Sequence, residues 1–143
     1  MTTVRGHTLP AALVDLLATG RWGPGSRSSR LADLTGVDEL DLLDLAGMHR
    51  NTDALVEAHE SGAGAALGLT RGTTGPGCLD VDQAVLVAVS LEQDAVALDY
   101  AGAARPRVVA TADGPGGVRW VEVAPTFEAL VSSTPPPSGP RPA

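Results

Sequence analysis

The hydrophobic residues at the start of the chain recur with a helical period. One face of the predicted helix carries four leucines: Leu9, Leu13, Leu16 and Leu17. Thr8 stands at a capping position, Pro10 suits the first turn, and Gly20 stands where a helix ends in a left-handed residue. The stretch that follows, residues 21–30, is rich in glycine and serine and is typical of a loop.

The pattern over residues 31–60 fits two interpretations. Leu40 and Leu42 alternate with acidic residues as in a strand, whereas Leu40 and Leu43 are also spaced as in a helix turn. We favour a short irregular strand or turn in this region. It is followed by a helix that residues 51–53 are suited to cap.

The second half of the chain has the pattern of consecutive strands. Alternating or continuous apolar runs joined by short turns occupy residues 84–89, 95–100, 107–110 and 118–123. The first of these runs is almost unbroken, as in a central strand with both faces covered. A final helix is predicted to begin at Pro125 and to carry Phe127, Leu130 and Val131 on one side.

Strands joined by short turns indicate an antiparallel sheet, and helices at both ends of such a run indicate an α+β domain. The sequence therefore predicts one α+β domain over residues 8–133, with a curved antiparallel sheet flanked by N- and C-terminal helices. We expect residues 1–7 to be flexible. The proline-rich residues 134–143 are expected to form a disordered tail.

The composition and charge of the chain exclude several classes of protein. The 143 residues include 17 acidic and 10 basic side chains, all of the latter arginine, so the formal net charge is −7. This balance argues against a general nucleic-acid binder, which needs a basic face. The chain has no apolar run near the roughly 20 residues that cross a bilayer, and Cys78 is the single cysteine. We therefore expect a cytoplasmic protein without disulfides.

Two strings of the chain are familiar: LDVDQAVLV at residues 79–87 and DAVALDY at residues 94–100, the latter followed by RPRVV and by RWVEVAPTFEAL at residues 119–130. Together with Leu9-Pro10 before the first helix, they resemble the SUKH superfamily, the group related to fungal cell-wall-synthesis regulators. The resemblance covers residues 79–131 best. It departs from the family at Thr19, where an Asn-Gly-Gly turn is common.

The resemblance implies an α+β fold in which certain motif residues are structural: Leu9, Pro10, Leu98, Asp99, Tyr100, Trp120 and Phe127. Bacterial members of the family look like immunity proteins that neutralise polymorphic toxins, many of them nucleases. The family has no shared catalytic set.

Single residues that often carry chemistry lack suitable sequence neighbours here. Cys78 is followed by Asp80 and Asp82, whose charges oppose formation of a thiolate. His49 and His59 are ten residues apart, whereas helical zinc sites place two histidines one turn apart. We therefore predict no catalytic residue, no metal site and no cofactor.

Other candidate motifs also have simpler interpretations. Residues 62–68 are one residue away from the dinucleotide-binding fingerprint, but they follow a helix where that motif follows a strand. Asp99 and Tyr100 could perform acid–base work. We instead interpret them as a strand end, with Asp99 accepting turn amides and Tyr100 packing its ring.

Acidic residues concentrate in two blocks of the sequence. Residues 33–60 hold eight acids and one arginine, and residues 78–99 hold five acids and no base. Such charge attracts a basic partner over long range, although ordinary solubilising surfaces have the same composition. The predicted partner-binding residues are Asp38, Glu39, Asp41, Asp44, Asp80, Asp82, Glu92 and Asp94.

The leading hypothesis from sequence is a non-enzymatic immunity protein that binds a cognate toxin domain, such as a nuclease, through an acidic surface. The alternative is a regulatory or scaffold domain with a protein partner other than a toxin. Neither hypothesis involves nucleic acid or a membrane.

Overall fold

A five-stranded sheet, two small strand pairs and several helices make up the computed structural model of the chain, which describes residues 2–26, 28–37, 39–64, 66–72, 77–91, 94–102, 105–114 and 117–131. The elements follow in the order β1 (Thr3–Val4), β2 (His7–Thr8), α1 (Ala11–Ala18), α2 (Ser29–Thr35), β3 (Asp41–Leu42), α3 (Leu45–Ala58), β4 (Leu69–Thr70), β5 (Leu79–Asp80), β6 (Ala84–Val89), β7 (Ala95–Asp99), β8 (Arg107–Gly114), β9 (Gly117–Ala124) and α4 (Phe127–Val131). A π-helical turn (His59–Ala63) extends α3, and a 3-10 turn (Val81–Gln83) precedes β6.

The large sheet has the strand order β3-β6-β7-β8-β9, and each pair of neighbours in it is antiparallel. The small pair β4–β5 is parallel, and β1–β2 is antiparallel. This arrangement confirms the prediction of a single α+β domain. The apolar run at Ala84–Val89 forms β6 as predicted, and its first five residues are buried.

The carbonyl group of Val87 joins three parts of the chain. The pairing register between β6 and β7 shifts at this residue, as in a β-bulge. Its oxygen accepts hydrogen bonds from the Leu43 amide at 2.9 Å and from the Trp22 indole nitrogen at 3.1 Å. The Trp22 ring in turn meets Phe127 of α4 edge to face, with 5.3 Å between ring centroids. The loop after α1, the segment after β3 and the last helix are thus all fixed to the centre of the sheet.

Helix α3 begins earlier than the sequence predicted. Asp44 is its N-cap and its carboxylate accepts the Gly47 amide at 2.8 Å, so the expected cap at residues 51–53 is wrong. Thr52 lies in mid-helix, fully buried, and its hydroxyl accepts the backbone N–H of Leu86 at 3.0 Å. The tertiary contact with β6 therefore outweighs the local preference of Thr52 for a helix end.

The first part of the ambiguous region is also helical. The sequence predicted loop or turn there, but α2 runs through it, capped by the Ser28 hydroxyl, which accepts the Leu31 amide at 3.1 Å. Leu31 is fully buried, and the helix ends at Gly36 with a φ of 75°. The short strand that we favoured in this region corresponds to β3.

Part of the N-terminal segment, for which we expected flexibility over residues 1–7, forms strands β1 and β2. The pair β1–β2 forms a small hairpin whose Val4 side chain is fully buried. An ion pair of 2.6 Å between Arg5 and Asp53 links the hairpin to α3. Thr8 belongs to this hairpin, so it does not cap α1, for which Pro10 is the N-cap residue. The predicted tail at residues 134–143 lies outside the described residues.

The outer edge of β9 is covered by the segment that surrounds β4. Val118 donates its amide to the carbonyl of Ala66 at 3.1 Å, and Trp120 donates its amide to Gly77 at 2.9 Å. The Trp120 indole also donates to the Leu67 carbonyl at 3.0 Å. These bonds occupy backbone groups that an exposed edge strand would offer to other chains.

Replacing the Trp22 indole should destabilise the fold, because the Val87 carbonyl then loses one of its two hydrogen-bond donors. Trp22→Phe keeps an aromatic ring beside Phe127 but removes the N–H that the Val87 oxygen accepts. We expect a loss of about 1–3 kcal/mol in the free energy of unfolding, measured by urea denaturation with circular dichroism. The control Leu91→Ala, at a side chain that is 97% exposed, should change stability by less than about 0.5 kcal/mol. Equal effects of the two variants would contradict the assigned role of the indole.

Gly68 should be intolerant of a side chain because of the close approach to β9. Its φ is 68°, and an added Cβ would lie 2.6 Å from the Val118 carbonyl oxygen. Gly72 is a matched control, since its φ is 81° but none of the described residues has an atom within 4 Å of the added Cβ. Both alanine variants have the same kind of backbone strain, and only Gly68→Ala has the clash. We therefore expect Gly68→Ala to lower the free energy of unfolding by at least about 1 kcal/mol more than Gly72→Ala.

Candidate functional site

The sheet divides the predicted acidic residues between its two ends. Asp41 is paired with Val89, and Val89 is paired with Ala95, so Asp94 lies at the same end as Asp41. Asp80 and Asp82 instead precede β6 at the end where Ala84 is paired with Asp99. The two groups are separated by the length of β6, which is on the order of 15–20 Å for a six-residue strand. The second acidic block of the sequence is therefore divided between the two ends, and its Asp94 shares an end with Asp41 of the first block.

One end of the sheet keeps its acidic side chains near solvent, and we name it the acidic end, defined by Glu39, Asp41, Leu91 and Asp94. Glu39 and Asp41 are exposed, and Asp94 is half-buried. Leu91 projects from the β6–β7 turn with 97% of its surface exposed. The turn is held by Ser90, whose amide donates to the Asp94 carbonyl at 2.9 Å and whose hydroxyl donates to the Asp94 carboxylate at 3.3 Å.

Asp44 is exposed but its carboxylate is engaged as the cap of α3. Asp38 and Glu92, also predicted to bind a partner, lie outside the described residues.

The other acidic group is largely neutralised by the fold. Asp80 is only 4% exposed and its carboxylate accepts the Asp82 amide at 3.0 Å, so little of this side chain is accessible for the partner contact predicted for it. Arg71 binds both Glu60 at 3.2 Å and Asp82 at 3.0 Å. The hydrogen bond with Glu60, followed by the attraction of Asp82, raises the pKa of the Arg71 guanidinium above its ordinary value. The Asp82 carboxylate is therefore paired with an arginine of the same chain.

Most of the residues that we expected to be structural from the resemblance are part of the core. Leu9, Leu98, Trp120 and Phe127 are each no more than 5% exposed, and Pro10 directly precedes α1. Their structural interpretation agrees with this burial.

Asp99 is a buried acid whose hydrogen bonds are satisfied. It is 4% exposed, accepts the Ala101 amide at 2.9 Å, and binds the Arg107 guanidinium through Nε at 2.9 Å and Nη2 at 2.8 Å. Arg107 also reaches Glu122 at 3.5 Å. A charge-assisted pair of this geometry fixes the end of β7 against the start of β8. The interpretation of Asp99 as a turn-stabilising residue is confirmed, and sequence reasoning missed its partner Arg107.

Tyr100 fastens the N-terminal hairpin to the sheet. Its ring stacks on His7, with centroids 4.6 Å apart and planes at 25°, and its hydroxyl donates to the Thr8 carbonyl at 2.8 Å. His7 Nε2 hydrogen-bonds the Asp82 carbonyl at 2.8 Å. Because His7 and Tyr100 are 93 residues apart, no sequence spacing indicated this contact. Burial raises the pKa of the Tyr100 phenol.

This contact forms one wall of an open groove of about 500 Å³, which we name the Arg105 groove; it is lined by Gly6, His7, Thr8, Pro10, Tyr100, Arg105, Pro106 and Glu128. A second groove of about 370 Å³ adjoins it and contains Asp99 and Arg107. Arg105 lines both grooves and, among the described residues, has no acid within ion-pair distance. Open grooves with mixed linings fit the contact of another chain better than the enclosure of a small substrate.

Cys78 is a half-buried free thiol. No group of three or more His, Cys, Asp or Glu side chains within the described ranges could hold a metal ion. In the same part of the chain, no helix has the length and apolar character needed to cross a membrane.

The chain was compared with models of protein families, with curated proteins and with solved structures, and none of the three comparisons found a match.

The ionisation of Tyr100 provides a probe of the hairpin contact. It is the only tyrosine in the chain, so tyrosinate absorbance reports on this residue alone. Since the folded pKa lies above the ordinary value of 10.0, the stabilisation is complete below that pH and is lost as the pH rises through the folded pKa. We expect tyrosinate to form at a higher pH in the native chain than in urea. Titration at the same pH in both states would contradict the buried contact.

Proposed function

We propose that this chain is a non-enzymatic protein-binding domain that captures a basic partner at its acidic end. The observation that carries the proposal is the juxtaposition of the exposed Leu91 with Glu39, Asp41 and Asp94 at one end of the sheet. A single exposed leucine is common on protein surfaces and has no meaning alone. An apolar side chain surrounded by charges of one sign has the anatomy of an interface centre and rim.

The charge arrangement supports selection of a basic partner. Arginines Arg5, Arg71 and Arg107 neutralise acids elsewhere in the fold, through the pairs with Asp53, Glu60, Asp82, Asp99 and Glu122. Glu39 and Asp94 form no ion pair with another of the described residues. The field of the acidic end therefore extends into solvent, where it would speed the encounter with a positively charged surface.

The kind of partner follows from the resemblance to SUKH immunity proteins. A toxin domain that acts on nucleic acid presents a basic surface to phosphate groups. An acidic domain that occupies this surface would exclude the toxin's substrate. We propose that this chain neutralises such a toxin by covering its basic active-site face.

The immunity function is tested by co-expression with a toxin encoded beside this chain. We expect growth to be rescued and the two proteins to co-purify. Absence of both rescue and complex would contradict the immunity role. Binding of a regulatory protein at the same surface, with no effect on toxin activity, would support the scaffold alternative in its place.

Neutralising the acidic end should weaken the complex without unfolding the chain. The triple variant Glu39→Gln, Asp41→Asn and Asp94→Asn should reduce affinity for the toxin roughly tenfold at low salt and flatten the dependence of affinity on salt. Binding would be measured by titration calorimetry at two salt concentrations.

A matched control removes the same number of exposed charges elsewhere: Asp15→Asn, Asp33→Asn and Glu57→Gln. We expect this control to change affinity much less, because the three residues lie on α1, α2 and α3. Equal losses for the two triple variants would show that net charge matters and that the acidic end is not the binding site.

A further inference from the structure

The proline-rich tail of the chain, residues 134–143, follows a helix that lines the Arg105 groove. Helix α4 contributes Glu128 to that lining, and Val131, the last described residue, comes three positions after Glu128. We propose that the tail docks in the Arg105 groove of its own molecule as a polyproline II segment. This proposal differs from the disorder that composition alone predicts for the tail, and it does not rest on the proposed function.

The tail has the sequence of a polyproline II ligand. Five of its ten residues are proline, whose ring restricts φ to about −65°, close to the value of the polyproline II backbone. Pro137 and Pro140 are three residues apart, in the order P-x-x-P, so they share one face of a helix that has three residues per turn. Segments of this kind dock in grooves lined by rings, because they lose little conformational entropy on binding.

The Arg105 groove provides the ring surface that such a segment needs. Tyr100, His7 and Pro10 line it, and each is half-buried, so part of each ring reaches the solvent. The Tyr100 and His7 rings stack on each other, and the Tyr100 hydroxyl donates to the Thr8 carbonyl at 2.8 Å. These contacts fix the rings within the folded domain, so they lose little freedom when proline rings pack on them.

The two charged side chains of the groove also fit the tail. Arg105 carries several N–H donors and forms no ion pair with a described acid. A proline-rich segment presents backbone carbonyl acceptors for those donors and has few N–H groups of its own. Glu128 is the acid of the lining, and Arg141 is the only charged side chain of the tail. The groove therefore holds one cation for the carbonyl groups and one acid for Arg141.

The tail is long enough to reach the groove of its own molecule. The step from Glu128 to Val131 covers only about 5 Å along the helix axis, and a polyproline II segment advances about 3.1 Å per residue. Residues 132–134 thus span the distance back to the groove. A tether of this length gives an effective concentration on the order of 1 mM, so a contact of millimolar affinity is sufficient to occupy the groove.

A docked tail would act as an internal ligand. It would cover the stacked rings of His7 and Tyr100, which fasten the N-terminal hairpin to the sheet. A proline-rich segment of another protein would then enter the groove only by displacing the tail.

The experiment is nuclear magnetic resonance relaxation of the purified full chain. The amides of Gly139 and Arg141 are the reporters, because proline has no N–H. We expect their order parameters to exceed about 0.6, the upper limit for a flexible backbone. The Tyr100 ring should show nuclear Overhauser contacts with Pro137 and Pro140. Both results should be independent of protein concentration, because the tail binds within one molecule.

Two variants should release the tail. Arg105→Gln removes most of the donors that the groove offers to the proline carbonyls. The double variant Pro137→Ala and Pro140→Ala removes both prolines of the docking face. Each should lower the order parameters of the tail below about 0.6 and abolish the contacts with the Tyr100 ring.

Each of these variants has a matched control. Arg119→Gln removes one exposed arginine that lies on β9 outside the groove. The double variant Pro136→Ala and Pro142→Ala also removes two prolines of the tail, but from a different face, since these residues are out of phase with Pro137 in a three-residue period. Both controls should keep the tail docked.

Order parameters below about 0.6 in the wild-type chain would overturn the proposal, as would equal losses in the variants and their controls. An ordered tail without contacts to Tyr100 would show that it binds elsewhere. Order that rises with protein concentration would assign the groove to the tail of a second copy. Either result would also overturn the proposal. All the variants leave the acidic end intact and should still bind the toxin, so failure of tail docking and failure of the proposed function are distinguishable.

Discussion

The backbone carbonyl of Val87 is the contact on which the arrangement of the domain depends. A bulge at this position directs the oxygen towards two donors, the Leu43 amide and the Trp22 indole. Trp22 then packs on Phe127, so the last helix is fixed by the same group. A buried carbonyl without donors would cost the desolvation free energy of a polar group, and these two bonds remove that cost. The Trp22 side chain is consequently held against the sheet although glycines flank it in the loop.

The same constraint positions the two surfaces of interest. The Leu43 bond sets where β3 runs beside β6, which brings Glu39 and Asp41 to the end of the sheet that holds the β6–β7 turn. At the opposite end, Asp99 and Arg107 fix the start of the loop that carries Arg105, and Tyr100 holds the N-terminal hairpin against it. The domain therefore carries an acidic, partly apolar turn at one end and an arginine-lined groove at the other.

Some of these elements follow from the local sequence pattern, whereas others depend on tertiary contacts. The continuous apolar run of β6 and the turn-separated runs of β7 and β9 were predictable because burial of a strand requires apolar side chains at regular positions. The start of α3 was not, since Thr52 looks like a helix cap and becomes a mid-helix residue only when β6 offers its Leu86 amide. The hairpin of β1 and β2 was missed for a similar reason. It consists of two short strands stabilised by burial of Val4 and by the ring contact of His7 with Tyr100.

The sequence by itself determined the α+β class, the central strands, the structural role of Asp99 and the presence of an acid-rich surface, because composition and hydrophobic period report directly on burial and charge. Only the tertiary structure decided which acids share a surface. Strand register placed Asp41 with Asp94 and separated both from Asp82, and burial removed Asp80 from the surface. Charge along a chain is one-dimensional, whereas the electrostatic field that a partner meets depends on distances that arise only when distant strands pair.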